Sequence, residues 1–592
     1  MSAPVGLIGT ATLARAQPPA TPPVAQAPPD PGAAPPRAQA ITAATFAEAE
    51  KLAAVALSAA QREQAAETWT ATMGGLAARR VGPGALHLEE SIAPASVWRP
   101  LEATGAAWRD GTAGHDLFVR SAIDPAPLPA RDEDIAHAPV HRLSHWIEAR
   151  ALSSERLTRI YLDRIRRFDP RLRAFITVTA DHALAQARRA DQELAAGHHR
   201  GPLHGVPYGV KDLLDTAGIA TTWGAEPLRD RVPATDSVVV ARLAAAGAVL
   251  LGKLSLGALA LNDIWFGGQT MNPWLPQEGA SGSSAGPGSA TAAALVAFSI
   301  GSETGGSIVS PSMRCGVAGL RPTYGRVART GAMTLCWSLD KLGPMTRSVE
   351  DAMLVLRAIS GPDAGDVASV AAPLHFDARA GVKGLRVGYV AEWMSQDPAT
   401  DVDRAALAML PALGLVPVPI RLPDWPYQTL DTILFAESAA AFEDWATDGR
   451  LDALRVQSSD AWPNTLRQAR FLSAVDLVQA DRLRRKVAQE MARVMAGVDV
   501  LLVPSLRNEM LTISNHTGHP SLTLRTGSIE VSEARSDWAP DPAHPLPRFE
   551  PPRRVPHGVT LVGRLFDEGT LARVGLALEH AAGVAALRPP EF

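Results

Sequence analysis

The chain has 592 residues, enough at ~150 residues per domain for about four domains or one unusually large one. With 46% hydrophobic and 20% charged residues it matches ordinary globular usage, which excludes a disordered chain and a disulfide-built miniprotein. A net charge of −4 without any Lys/Arg block gives no electrostatic footprint for nucleic acid or an anionic membrane.

Residues 5–13 are small and apolar and precede Ala14-Arg15-Ala16, an A-x-A cleavage pattern that lacks a basic region before it. Residues 1–16 therefore read as a truncated export signal, which points to a periplasmic or secreted location, with the cytoplasm as the alternative. Residues 17–40 are Pro/Ala-rich and read as a linker. Thr45 with Glu48 forms a capping box, and the Ala-rich run to about residue 80 predicts a helix, so residues 41–139 are expected to be a helical extension packed on the main domain.

From residue 140 to 592 helical and strand-like stretches alternate. Ser153 is placed to cap a helix whose Leu157, Ile160, Tyr161, Ile165 and Phe168 share one stripe. A strand at 175–178, a helix at 181–196 and a strand ending at Lys211 follow. Asp236 is expected to cap a helix that Gly247 stops before a buried strand at 248–251. Later come a strand at 385–390, a long helix at 476–496 and a strand at 498–503. This order predicts one α/β domain with a mixed, largely parallel central sheet covered by helices on both faces. No apolar run is long enough to span a membrane, so a soluble protein is expected.

The densest chemical signal is Gly279-Ala-Ser-Gly-Ser-Ser-Ala-Gly-Pro-Gly288, then an apolar stretch, then Gly301-Ser-Glu-Thr-Gly-Gly-Ser307. Consecutive glycines before a serine let backbone N–H groups converge on a reacting carbonyl. A G-x-S-x-G elbow with Ser284 as nucleophile would need a buried strand just before it, where Pro276, Glu278 and Gly279 stand instead. A phosphate loop would need a lysine that Gly305-Gly306-Ser307 lacks.

A third arrangement uses two serines and a lysine. His204-Gly-Val-Pro-Tyr-Gly-Val-Lys-Asp212, Ser283-Ser284 and Gly301-Ser-Glu-Thr-Gly-Gly-Ser-Ile308 resemble the elements of the amidase signature family, with 24 residues from Ser283 to Ser307 as in that family. Asn272-Pro273-Trp274, the run from Cys315 to Thr323 and Asn515-His-Thr-Gly-His-Pro520 extend the likeness over about residues 140–590. The resemblance implies Lys211 as base, Ser283 as a bridging serine on a cis peptide, Ser307 as nucleophile, and the backbone N–H groups of Thr304, Gly305, Gly306 and Ser307 as oxyanion hole. It implies an amidase that forms a Ser307 acyl-enzyme on a small-molecule amide and needs no cofactor. The enzymatic alternative is the A-type component of a glutamine-dependent amidotransferase, which releases ammonia for transamidation of charged tRNA. A non-catalytic binding member of the fold is the other alternative.

The chain departs from the family pattern at Ser281, Ala285 and Pro287, which are expected to stiffen the loop, and at Glu303, where aspartate is more common. Val309 stands where arginine is frequent, so the polar network below the nucleophile is expected to be lost or rebuilt. Trp223, Trp265, Met333 and Trp337 are candidate pocket residues. His198 and His199 read as a solvated loop, and His516 and His519 as packing groups. No metal site is expected, because Cys315 and Cys336 lack ligand spacing. Whether those two cysteines are bridged stays open, as does a homodimer.

Overall fold

The computed structural model describes residues 41–53, 55–73, 96–104, 116–122 and 126–592. The export-signal and linker readings fall on residues 1–40, outside the described residues. Two compact units emerge, residues 1–89 and 90–592, so the larger one starts well before residue 140.

In the first unit the expected single helix is two, Ala43–Ala53 and Ala59–Met73. Thr42, not Thr45, opens the first, since each residue's backbone N–H donates to the other's hydroxyl, at 3.2 and 3.3 Å. Ser58 opens the second with Gln61 three residues on, again reciprocally, at 2.7 and 3.3 Å. This second capping box interrupts a stretch whose alanine content alone favours continuous helix.

The second unit is built on an eleven-stranded sheet among the described residues. Its order is Val416–Ile420, Arg386–Val390, Val500–Pro504, Arg548–Gly563, Ser521–Glu533, Ala318–Arg321, Lys341–Thr346, Phe298–Glu303, Pro207–Lys211, Val249–Leu254 and Phe175–Val178. The sheet is mixed as expected, but four neighbouring pairs are parallel and six antiparallel. The parallel pairs arise where a helix intervenes, as Val238–Ala245 does between Pro207–Lys211 and Val249–Leu254. The antiparallel middle includes the hairpin of the two longest strands, Ser521–Glu533 and Arg548–Gly563.

Helices cover both faces of this middle. Leu522 is the side-chain neighbour that a Cβ on Gly575 would meet, in the helix Glu568–Ala582. The next residue, Thr523, pairs with Gly319, whose own Cβ would meet Ser312 in the helix Val309–Cys315. Because successive strand residues face opposite ways, the two helices lie on opposite sides.

Ser153 caps the helix Ser154–Leu172 by accepting from the Arg156 N–H at 3.1 Å, and the expected apolar stripe is buried. Asp236 does not cap the helix Val238–Ala245. Its carboxylate accepts from the Ala217 N–H at 2.8 Å, tying down the preceding loop, and Ser237 takes the cap position without a side-chain bond.

Three residues before Lys211, Tyr208 pairs across to Phe298, with parallel rings 5.3 Å apart. Both are buried. This stack sets the lateral register of the two strands that carry the site. Phe298→Ala is expected to cost about 3–5 kcal/mol of stability, read as a lower melting temperature. An unchanged melt would contradict the stack's role.

Candidate active site

Lys211 is the last residue of Pro207–Lys211, a strand buried at every position between two parallel neighbours. The side chain is fully enclosed. Its Nζ lies within hydrogen-bonding distance of three hydroxyls: Ser283 Oγ at 2.8 Å, Ser302 Oγ at 2.9 Å and Ser284 Oγ at 3.0 Å. Burial pushes this amine well below the usual lysine value, and Asp340 and Glu303, which pull upward, do not offset it.

A neighbour supplies the contrast. Lys253 is also wholly buried on the adjacent strand, but it has a carboxylate partner, Asp212, at 3.1 Å. Lys253 is a structural ion pair. Lys211 has hydroxyls as its hydrogen-bond partners and no carboxylate in contact.

Ser283 follows a cis Gly282–Ser283 peptide, and Ser281 before it sits at φ +64°. Gly282 is required by contact, because a Cβ there would lie 1.8 Å from the Asn262 carbonyl oxygen. Ala285 and Pro287 do not stiffen a loop. They already belong to the buried helix Ala285–Ala292, where Pro287 lies in the first turn and no intrahelical N–H is needed.

The three hydroxyls around Lys211 are not equivalent. Ser284 Oγ accepts from the Ser302 N–H at 3.1 Å and donates to the Ser302 carbonyl at 3.0 Å. Its proton is committed, which removes it as the nucleophile of an elbow. A neutral amine donates twice and accepts once, so the hydroxyls left to donate to Lys211 are those of Ser283 and Ser302.

Ser307 lies half-buried in the turn between Phe298–Glu303 and Val309–Cys315. The Ser284 N–H donates to its carbonyl at 3.1 Å, which joins the two serine segments. Gly306 adopts φ +137°, a conformation side chains rarely take, and a Cβ on the exposed Gly305 would meet open space. Among the described residues, the N–H groups of Gly305, Gly306 and Ser307 have no protein acceptor. They are therefore free to meet an oxyanion. The Thr304 N–H likewise has no protein acceptor, while its hydroxyl donates to Asp340 at 2.6 Å.

The polar network expected to be lost or rebuilt at Val309 is rebuilt. Glu303 accepts from the N–H groups of Ile308 and Val309 at 2.7 and 2.9 Å, pairs with Arg321 at 2.6 Å and accepts from Asn515 at 3.0 Å. Burial would raise its carboxyl, but Arg321 and the Val309 N–H hold it below the usual range. Arg321, at the end of the strand Ala318–Arg321, supplies the guanidinium of this network, and Val309 contributes its N–H. Ser302, Arg321 and Asn515 were not singled out by the sequence as site residues, although each lies inside a quoted motif.

A cavity of about 340 Å³ opens beside Ser302 and Thr304, and Met333 and Trp337 line it. Trp223 and Trp265 do not. Trp223 packs on Phe442 beneath the Arg231 guanidinium, and Trp265 meets Phe266 edge-on. His516 and His519 are buried and bonded to Thr512 O and Thr517 Oγ1, and burial lowers both to about 3, so they are neutral packing groups. His198 and His199 are exposed. Cys315 and Cys336 are both free.

The chain resembles known proteins in sequence and fold. The family model described as Amidase matches residues 156–572. The chain belongs to the amidase signature family. It is 37% identical over 485 residues to a Mycobacterium tuberculosis protein named "Putative amidase AmiD", covering 79% of this chain and 99% of that one. It is 35% identical to the A-type component of the glutamyl-tRNA(Gln) amidotransferase of Anaeromyxobacter sp. (strain K), covering 74% and 94%. The crystal structure of the native peptide amidase of Stenotrophomonas maltophilia aligns with a TM-score of 0.65 at 31% identity, over 77% of this chain and 98% of that one.

In this member of the amidase signature family Glu303 fixes the turn that carries Ser307. Glu303→Gln, which replaces an acceptor with an amide donor, is expected to lower kcat by roughly 10- to 100-fold through displacement of that turn. Steady-state kinetics on a folded variant check this, and an unchanged kcat would contradict it.

Proposed function

We propose that the chain is an amidase that hydrolyses carbon–nitrogen amide bonds through a Ser307 acyl-enzyme. The observation that carries this reading is the enclosed Lys211 amine with three hydroxyl partners. A serine hydroxyl is a weak nucleophile at neutral pH and needs a neighbouring base. An exposed lysine, titrating near ~10.4, would be neutral in only about one molecule in 10³ at neutral pH. Burial of Lys211 removes that obstacle.

In the proposed reaction Ser307 Oγ attacks the amide carbonyl and its proton passes through Ser283 to Lys211. The oxyanion meets the N–H groups of the Gly305 to Ser307 turn. The relay returns the proton to the nitrogen as the carbon–nitrogen bond breaks and the amine departs. Water, activated by the same relay, attacks the ester, releases the acid and restores Ser307.

The cavity beside the site favours an uncharged group next to the scissile bond. Arg329, its one lining guanidinium, is held bidentately by Asp366 and also donates to the Trp337 carbonyl at 2.6 Å. The Asp340 carboxylate accepts from Thr304, Leu335 and Cys336. A free amino acid such as glutamine needs a counter-charge for its carboxylate as well as its ammonium, and Arg329 is already paired with Asp366. This supports a stand-alone amidase over a component of a glutamine-dependent amidotransferase. The A-x-A pattern before the Pro/Ala-rich stretch supports export, which N-terminal sequencing of the secreted fraction would test.

Ser307→Ala is expected to lower turnover by about 10⁴-fold or more with the fold intact. Wild-type enzyme should take a fluorophosphonate on Ser307, as mapped by mass spectrometry. Labelling at another serine would move the nucleophile, and no labelling would favour a binding role. Ammonia release from glutamine that depends on a partner protein would carry the amidotransferase reading instead.

The pH dependence has a definite sign. The base must be neutral, so kcat/KM is expected to rise with pH through an apparent value that belongs to the coupled Lys211–Ser283–Ser307 set. Lys211→Met should abolish that limb together with most of the rate. A Met variant with wild-type activity and an unaltered profile would remove Lys211 from the mechanism.

A further inference from the structure

Ser281 is a non-glycine residue at φ +64°, two positions before Ser283, in a backbone region that favours glycine. It is almost fully buried. What holds it there comes from a remote part of the chain, the excursion of residues 534–547 between the two longest strands. Ser281 Oγ donates to the carboxylate of Asp537.

Asp537 is itself exposed but is held by several bonds. Its other carboxylate oxygen pairs with the buried Arg314 at 2.8 Å, and its carbonyl accepts from the Asn262 side chain at 3.2 Å. Arg314 also donates to the Arg535 carbonyl at 3.1 Å. Arg535 in turn pairs with the buried Glu278 at 2.6 Å, and Trp538 donates to Asp263 at 3.2 Å. The run from 278 to 282 is therefore enclosed between this clasp and the Asn262 carbonyl against which Gly282 is pressed. Besides Arg314, the clasp holds Glu278 and Ser281, just before Ser283, and Asn262 and Asp263, on the loop that Gly282 abuts.

We infer that Asp537 is a positioning residue, and that its bond to Ser281 holds Ser283 at hydrogen-bonding distance from Lys211. A charge-assisted acceptor fixed by a buried guanidinium is a stiff anchor. Without it the segment before Ser283 is free to leave its unfavourable conformation. A relay that runs through the 2.8 Å contact between Lys211 and Ser283 is sensitive to such a shift, since a displacement of ~1 Å costs about 10²-fold in rate. Asp537 touches no reacting atom, so its effect should fall on kcat and on the pH limb of the relay, with KM little changed.

The inference rests on the reading of Lys211 and Ser283 as the relay, and the test keeps the two apart. Ser281→Ala leaves the Arg314–Asp537 pair in place and is expected to lower kcat about 10-fold and displace the pH limb, with little change in melting temperature. Asp537→Ala should lower kcat at least as much. Asp537→Asn, which keeps an acceptor for the hydroxyl, should recover part of the loss. In the Ser281→Ala background, Asp537→Ala should add little to the catalytic defect, because both changes break one link.

Wild-type kcat and pH profile in a folded Ser281→Ala variant would overturn the inference, as would fully additive effects in the double variant. If Lys211→Met retained activity, the relay itself would fall, whatever the outcome at Ser281.

Discussion

The site depends on one constraint, the enclosure of the Lys211 amine among hydroxyl groups without a carboxylate in contact. Isolated burial of an ammonium is costly enough that the group gives up its proton instead. The same strand arrangement solves the problem differently one strand away, where Lys253 keeps a carboxylate partner in Asp212. Burial lowers both amines, but only Lys253 has a carboxylate in contact to oppose that shift.

The surrounding architecture keeps the enclosing groups in place. The parallel strands Phe298–Glu303 and Pro207–Lys211 bring Ser302 beside Lys211, with the Tyr208–Phe298 stack behind them. Ser284 spends its hydroxyl on both backbone groups of Ser302, so the loop with the cis peptide is bound to the strand that leads to Ser307. Glu303, one residue beyond Ser302, then fixes the turn after Ser307 through two N–H groups. Positioning thus runs continuously along residues 302–309.

Much of this was legible in the sequence. The helix capped by Ser153, the strand ending at Lys211 and the α/β order carry strong local signals in periodicity and capping. The meeting of Ser283 with Lys211 was readable only through the resemblance to the family's motifs, because a contact across 72 residues has no local signature, and the approach of Ser284 was not foreseen. The antiparallel middle of the sheet escaped for the same reason. Its strands are paired by tertiary contacts rather than by short turns, with the strand Ala318–Arg321 meeting Ser521–Glu533 some 200 residues later. The pairing of Arg321 with Glu303 could not be inferred, since nothing in the strand's pattern says which carboxylate its side chain will reach. Asp236 shows the converse failure, a good capping residue that tertiary structure drew to a different N–H.

The claim on which the account turns is that Lys211 is an uncharged amine in the resting enzyme. It can be read directly by NMR, with lysines labelled at Cε and the Lys211 signal assigned by its loss in the Lys211→Met variant. The account predicts a chemical shift of a neutral amine at pH 7 and titration well below the ordinary value near ~10.4. A Lys211 signal that remains that of an ammonium up to about pH 10 would contradict it.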